Sequence, residues 1–178
     1  MNFNKLSELK RNSIKNKYYI DNNKLVISIN KCYYNNIENI LIDFIKKIYF
    51  TYYSYSKNSL LYYLPNVISE VYFGVYLNEN VNLLPSSITI LNCGEHFNRK
   101  INKIPYKTKN LILGIEFNKN LNKLNDNVKY LTITAGYNIN VNRISLNLEK
   151  IYIRKIRGYM TTEQNFSKDF PNLKIISI

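Results

Sequence analysis

The feature that most constrains the fold of this chain is a repeat with a period of 20 residues. Rows of 20 written from Leu64 begin with Leu64-Pro65, Leu84-Pro85, Ile104-Pro105, Leu124-Asn125 and Ile144-Ser145. At the eighth position of each row an apolar-x-apolar triplet recurs, at 71–73, 91–93, 111–113, 131–133 and 151–153. Because several columns match without a gap, the rows are interpreted as copies of one structural unit.

A period of 20 is too short for paired-helix repeats and fits coils of the leucine-rich type. The triplet predicts a short strand whose first and third residues point into the core and whose middle residue points outward. Each coil can bury its apolar face only against its neighbours, so the strands are expected to stack in parallel. The predicted fold is mainly β, a leucine-rich-repeat-like solenoid with one long parallel sheet.

The other columns predict turn and scaffold roles. Glycine follows three of the triplets and suggests a backbone with positive φ. A large apolar residue three positions later is expected to fill the core at the turn, and the asparagine beside it to bond backbone groups of its own and adjacent coils. These predicted structural residues are Gly74, Gly94, Gly114, Asn78, Asn98, Asn118 and Asn138.

Two rows share a distinctive core, Gly94-Glu95-His96-Phe97-Asn98 and Gly114-Ile115-Glu116-Phe117-Asn118. This pattern resembles the FNIP repeat family, which is related to leucine-rich repeats and is typical of large DNA viruses of amoebae and of amoebae. The resemblance implies a protein-interaction module, sometimes behind an F-box-like N-terminus. The family's proline after Phe-Asn-x is replaced by Lys100, Asn120 and Asn140.

The repeat extends in both directions with altered spacing. Residues 45–50 match 68–73 at an offset of 23, and residues 173–178 match 148–153 at an offset of 25. The predicted solenoid therefore covers 43–178, with repeats at 64–83, 84–103, 104–123, 124–143 and 144–168 and a terminal strand at 171–178. The unpaired edge of that strand allows oligomerisation.

Residues 1–42 are predicted to form an N-terminal cap or arm. Leu25–Ile29 predicts a strand after a turn at Asp21–Asn23. Over 36–49 the apolar spacing fits either a helical stripe or the strand of the repeat, and a helix or irregular coil followed by a strand at 48–50 is favoured. The cap is thus expected to be α/β, and a degenerate F-box is an alternative.

Charge and cysteine usage narrow the functional classes. Residues 1–63 carry ten Lys/Arg against four Asp/Glu, and 64–178 carry fifteen against eight, so the net charge of +13 is spread along the chain. A nucleic-acid binder would concentrate it on one face. Two distant cysteines and a polar N-terminus favour an intracellular, cytoplasmic protein, in a host cell if viral, without a membrane span.

No pattern of catalytic, metal-ligating or cofactor-binding residues stands out, so the chain is expected not to be an enzyme and to need no cofactor. The one histidine, His96, could pair with Cys93, but Cys93 takes an inward strand position. Such a cysteine is ordinarily an unreactive small hydrophobe. The scarce acidic residues are scattered over turns.

The favoured function is binding of a protein partner, a host protein if the chain is viral, on the exposed face of the sheet, because large side chains in outward positions suit an interface. The predicted partner-binding residues are Glu70, Tyr72, Asn92, Asn110, Ile112, Tyr130, Thr132, Lys150 and Tyr152. Two alternatives stay open. One is a substrate adaptor of a ubiquitin ligase acting through the N-terminal segment. The other is salt-sensitive binding to nucleic acid or acidic surfaces.

Overall fold

The sheet of the predicted solenoid is present in the computed structural model, which describes residues 18–21, 24–28, 46–52, 64–101, 103–122, 124–134, 147–154 and 173–178. Within these ranges nine strands form one sheet in chain order. The strands are β1 (Tyr18–Asp21), β2 (Lys24–Ser28), β3 (Lys47–Tyr52), β4 (Glu70–Phe73), β5 (Ile90–Asn92), β6 (Asn110–Ile112), β7 (Tyr130–Thr134), β8 (Lys150–Arg154) and β9 (Lys174–Ser177).

All neighbouring strands from β2 to β9 run parallel, and only β1 pairs antiparallel, as a hairpin with β2. From β4 to β8 each residue pairs with the one 20 positions later, for example Leu91 with Leu111. The chain is therefore a leucine-rich-repeat-like β-solenoid. The strand predicted over Leu25–Ile29 corresponds to β2, and the strand predicted at 48–50 lies within β3. Of the helical stripe considered over 36–49, residues 47–49 belong to β3, and residues 36–45 lie outside the described residues.

The register at β9 corrects the sequence prediction by one residue. Ile151 pairs with Ile175, an offset of 24, and not with Ile176 as the expected offset of 25 required. Leu173 and Ile175 pack against the core, and this alternation leaves Ile176 on the outer face. Because side chains alternate sides along a strand, a one-residue error in register exchanges the inner and outer residues.

The core is a continuous stack of apolar columns inside the coils. The inward residues of the strands are fully or nearly fully buried: Ile48, Phe50, Val71, Phe73, Leu91, Cys93, Leu111, Leu113, Leu131, Ile133, Ile151 and Ile153. At the turn Leu77, Phe97 and Phe117 are also buried, and the rings of Phe97 and Phe117 stack with their centroids 6.0 Å apart. The core-filling role predicted for this column is confirmed.

Hydrogen bonds between coils fix the point at which each strand begins. The carbonyl of Lys46 accepts the N–H groups of Ser69 and Glu70, and the same double acceptance recurs one coil on at Ser69, Thr89, Lys109 and Lys129. Before each strand from β4 to β7 a turn closes from residue i+3 to residue i, as from Ile88 N–H to the carbonyl of Pro85. Proline fits there because its own position in the turn needs no N–H donor.

The glycine column has two different physical causes. Only Gly94, among the described glycines, has a positive φ, at 77°. Gly114 is confined instead by close approach, since a Cβ there would collide with the backbone carbonyl of Gly94. A Cβ at Gly94 would likewise collide with the carbonyl of Gly74. The expected positive φ is thus wrong for Gly74 and Gly114, because the turn at those coils follows ordinary backbone angles.

Candidate binding surface

The outer face of the sheet consists of two rows of side chains that run across the strands. Strand register aligns the first row as Lys47, Glu70, Ile90, Asn110, Tyr130, Lys150 and Lys174. The second row, two residues later on each strand, contains Tyr49, Tyr72, Asn92, Ile112, Thr132, Tyr152 and Ile176. The structure thus brings all nine predicted partner-binding residues onto one face.

Sequence reasoning left five members out of these rows: Lys47, Tyr49, Ile90, Lys174 and Ile176. Ile90 was detectable, since it stands one repeat after Glu70. Lys47 and Tyr49 follow from the 23-residue offset, whereas Lys174 and Ile176 required the corrected register of β9. The face is therefore wider than the sequence indicated.

The large residues of the outer face are half-buried, which corrects the expectation that they are freely exposed. Tyr72, Ile112, Tyr130 and Tyr152 all have intermediate exposure. The reason is that adjacent strands of a sheet lie about 4.8 Å apart, so each side chain is covered on two sides by its row neighbours. The face is a close-packed surface rather than a set of projecting side chains.

At the β3–β4 end, aromatic stacking and an ion pair tie the face together. The rings of Tyr49 and Tyr72 are parallel with centroids 4.2 Å apart. The Tyr72 hydroxyl donates to Glu70 Oε2 at 3.0 Å, and Lys47 Nζ lies 3.0 Å from Glu70 Oε1. Burial, with the hydrogen bond to Glu70 second, raises the pKa of Tyr72, and the hydrogen bond to Glu70 raises the pKa of Lys47. Lys47 and Glu70 therefore form an ion pair at this end, next to Lys24, the register partner of Lys47 on β2.

The middle of the face is uncharged. On β5 and β6 the two rows present Ile90, Asn92, Asn110 and Ile112, all of intermediate exposure. Asn92 has a structural role as well, because its Oδ1 accepts the N–H of Gly94 at 2.9 Å. The centre is thus an apolar diagonal from Ile90 to Ile112, flanked by two side-chain amides.

Among the described residues on or directly before β7 to β9, the cations outnumber the carboxylate side chains: Lys129, Lys150, Arg154 and Lys174 stand against Glu149. Glu149 is occupied on both oxygens, by Lys129 Nζ and by the Tyr130 hydroxyl at 2.9 Å. The hydrogen bond from Lys129 lowers the pKa of Glu149, and the hydrogen bond to Glu149 raises the pKa values of Lys129 and Tyr130. Lys150 Nζ lies over the Tyr130 ring, 5.7 Å from its centroid.

The asparagine column forms hydrogen bonds from coil to coil. Asn98 N–H donates to Asn78 Oδ1 at 3.0 Å, and Asn118 N–H donates to Asn98 Oδ1 at 3.1 Å. Asn138 lies outside the described residues. The expectation that this ladder serves buried groups is wrong, because Asn78 and Asn118 are exposed. The ladder runs along the surface of the turn, beside the buried Leu77 and Phe97.

His96 and Cys93 lie in different environments and do not form the pair considered from the sequence. His96 Nδ1 lies 2.9 Å from Glu116 Oε1, and its ring is 5.3 Å from that of Tyr76 on the preceding coil. Cys93 is fully buried, and desolvation raises the pKa of its thiol. A thiol held in its neutral form is a poor nucleophile. In the described part of the chain no group of three or more His, Cys, Asp or Glu side chains could hold a metal ion.

Several large apolar side chains are more exposed than the outer face, and the sequence did not single them out. They lie on turns, at the end of the 3-10 helix Val81–Leu83 or beyond the last strand: Tyr76, Leu83, Tyr106, Ile115 and Ile178. Tyr106 is the most exposed of them, at 71 %. They stand in different columns of the coil, so they form scattered positions rather than a row.

Among the residues that the structure describes, no helix is long and apolar enough to cross a membrane.

Comparisons with known proteins give a likeness in structure but none in sequence. No protein-family model matches the chain, and no curated protein matches its sequence. The resemblance to FNIP repeats therefore stays a prediction. A solved structure described as a novel circular LRR protein structure, CroV588, matches with 19 % sequence identity and a TM-score of 0.48. The match covers 77 % of this chain and 24 % of the other, so the chain spans about a quarter of that protein's length.

Proposed function

We propose that this protein is a non-enzymatic interaction module that binds a protein partner on the outer face of its parallel sheet. The observation that carries the proposal is the contrast between the two sides of the strands. The inward columns are aliphatic or aromatic in every coil from β4 to β8, apart from Cys93, whereas the outward rows change from coil to coil. A solenoid needs its inward residues to stack, but its outward residues are free to match a ligand.

The composition of the outer face supports a protein partner. Its two rows combine four tyrosines with isoleucines, amides and a few charges. Tyrosine is enriched at protein interfaces because it offers a large apolar ring and a polar hydroxyl at a low cost in side-chain entropy. The stacked pair of Tyr49 and Tyr72 is already ordered by its contacts, so binding there loses little further rotamer freedom.

The adaptor function depends on residues 1–42. Within that segment the structure describes only the β1–β2 hairpin, which pairs with β3 as part of the same sheet. A docking site for a ligase subunit would thus involve residues outside the described ranges. No observation on the described residues favours this alternative over the outer face.

The test is affinity purification of the tagged protein from cells at low and high salt, with captured partners identified by mass spectrometry. We expect partners that survive high salt, and we expect the triple variant Tyr72→Ala/Ile112→Ala/Tyr152→Ala to lose them. The matched control, Leu83→Ala/Tyr106→Ala/Ile115→Ala, removes comparable apolar area from other exposed positions and should retain them. Loss in the control variant alone, or recovery of nucleic acid alone that vanishes with salt, would contradict the proposal.

A further inference from the structure

We infer that the β7–β9 end of the outer face receives an acidic side chain from an extended segment of the partner. The receiving cations are Lys150, Arg154 and Lys174, beside the rings of Tyr130 and Tyr152. The inference rests on the proposed function and goes further, because it assigns the chemistry and orientation of the bound segment. Its apolar side chains would lie on the diagonal from Ile90 to Ile112.

The positive charges of Lys150 and Lys174 repel each other in the folded chain. Lys150 and Lys174 are direct partners in the parallel register of β8 and β9, on the same face. Like charges opposite one another in a sheet are destabilising. Lys174 and Arg154 are exposed, and none of the three cations lies within ion-pair distance of a carboxylate in the described part of the chain. A carboxylate bound beside these cations would offset the repulsion between them.

Charge is distributed unevenly along the outer face. At the β3–β4 end Lys47 is neutralised by Glu70, and the rows of β5 and β6 carry no charge. At the β7–β9 end Glu149 is engaged by Lys129 and Tyr130, which leaves the remaining cations for a ligand. Lys150 Nζ lies over the Tyr130 ring, so a carboxylate bound there would meet a cation already placed against an aromatic side chain. A carboxylate arriving there would form charge-assisted hydrogen bonds.

The distribution of cations on the outer face favours an acidic peptide over a nucleic acid as the ligand. A nucleic-acid backbone places a phosphate at every nucleotide and requires cations along the whole contact. On the part of the outer face from β3 to β9, the described cations without an ion pair lie on β8 and β9, and the rows of β5 and β6 are neutral and partly aliphatic. That pairing of one basic end with an apolar strip fits a peptide that carries both an acidic and an apolar residue.

The geometry also sets the spacing of the two residues. Strands lie about 4.8 Å apart, so Lys174 on β9, three strands on from Ile112 on β6, lies about 14 Å away across the sheet. An extended segment advances about 3.3 Å per residue, and its side chains four positions apart lie on the same side. The acidic residue should therefore stand about four positions from an apolar residue in the partner.

The experiment is selection of displayed random peptides of about twelve residues, long enough to cross from β3 to β9, on the full-length immobilised protein. We expect enriched sequences with Asp or Glu about four positions from an apolar residue. Fluorescence anisotropy then measures the affinity of a selected peptide for Lys150→Glu/Lys174→Glu, which we expect to be at least about ten-fold weaker. The control Lys103→Glu/Lys107→Glu changes the same net charge on exposed turns and should bind within about two-fold of the wild type.

The outcomes distinguish this inference from the proposed function. Enriched peptides without acidic residues, which still lose binding to Ile112→Lys, would overturn the inference and leave the proposed function standing. No enrichment, or enriched peptides indifferent to Ile112→Lys, would contradict the proposed function itself. Displacement of the peptide by a single-stranded oligonucleotide, with a steep salt dependence, would overturn the acidic-peptide assignment. If the reversed variant does not fold by circular dichroism, Lys150→Gln/Lys174→Gln provides the same comparison with a smaller expected loss.

Discussion

The two sides of each strand carry neighbouring residues with opposite constraints. On the inner side Val71, Leu91, Leu111, Leu131 and Ile151 stack from coil to coil, and each is fully buried. One residue later, the outer side presents an aromatic ring, an amide, an aliphatic chain, a hydroxyl and a second aromatic ring, at Tyr72, Asn92, Ile112, Thr132 and Tyr152. The inner residues therefore specify the solenoid, and the outer residues are available for recognition.

The largest effect should come from removing an inner residue. Leu111→Ala deletes a fully buried side chain and should lower the free energy of unfolding by about 2–5 kcal/mol. Ile112→Ala, one position along the same strand, should cost less than about 1 kcal/mol because its side chain is half-exposed. Urea denaturation of both variants measures the difference, and similar costs would show that the two sides are not distinct.

Gly94 should give the next largest effect on stability. Gly94→Ala forces a Cβ into a backbone with φ of 77° and against the carbonyl of Gly74. The φ term alone costs about 1–2 kcal/mol, and the collision adds to it. Thermal unfolding should show the loss, whereas the neighbouring Glu95→Ala, at an exposed position, should change stability by less than about 0.5 kcal/mol. A fully stable Gly94→Ala protein would refute the close approach of the coils.

A smaller effect is expected in the asparagine ladder. Asn98→Ala removes the acceptor for the N–H of Asn118 and should cost about 0.5–1.5 kcal/mol. Asn98→Asp keeps an oxygen at the same place and should recover most of that loss. Chemical denaturation compares the two, and an equal cost for both variants would mean that the hydrogen bond does not stabilise the turn.

The smallest effect on stability is expected from the exposed ion pair between Lys129 and Glu149. The pKa of Glu149 is lowered in the folded chain, so its contribution is present above its unfolded pKa and is lost as pH falls through the folded pKa. Glu149→Gln should therefore be slightly less stable than the wild type at about pH 7 and equal to it at about pH 2. A difference in melting temperature that does not shrink on acidification would contradict this role.

Much of the scaffold was predictable from the sequence because the period leaves little choice of register. Columns such as Leu91 and Leu111, spaced by 20, predicted the parallel pairing of β5 with β6. The predicted register was wrong at β9. An insertion breaks the period before that strand, and either of the adjacent residues Ile175 and Ile176 could occupy the inward position. Only the packing of Leu173 and Ile175 against the core distinguishes them.

The outer face was less predictable than the core. The spacing of the repeat is enough to place Ile90 and Tyr49 on the outer face, but it contains no information on the contacts between rows. The stacking of Tyr49 on Tyr72 and the double engagement of Glu149 depend on side-chain rotamers. The glycine column was also only partly predictable, because the same residue type is required for different reasons. Gly94 adopts a positive φ, whereas Gly114 lies too close to neighbouring backbone to carry a Cβ.

The most direct test of the central claim is site-specific photo-cross-linking. A photoreactive benzoylphenylalanine replaces either Ile112 on the outer face or Ile115 on the following turn, which is the more exposed of the two. The variants are irradiated in cell extract, and cross-linked products are identified by mass spectrometry. Binding on the outer face predicts partner cross-links from position 112 and not from position 115. Cross-links from position 115 alone would contradict the assignment of the sheet as the binding surface.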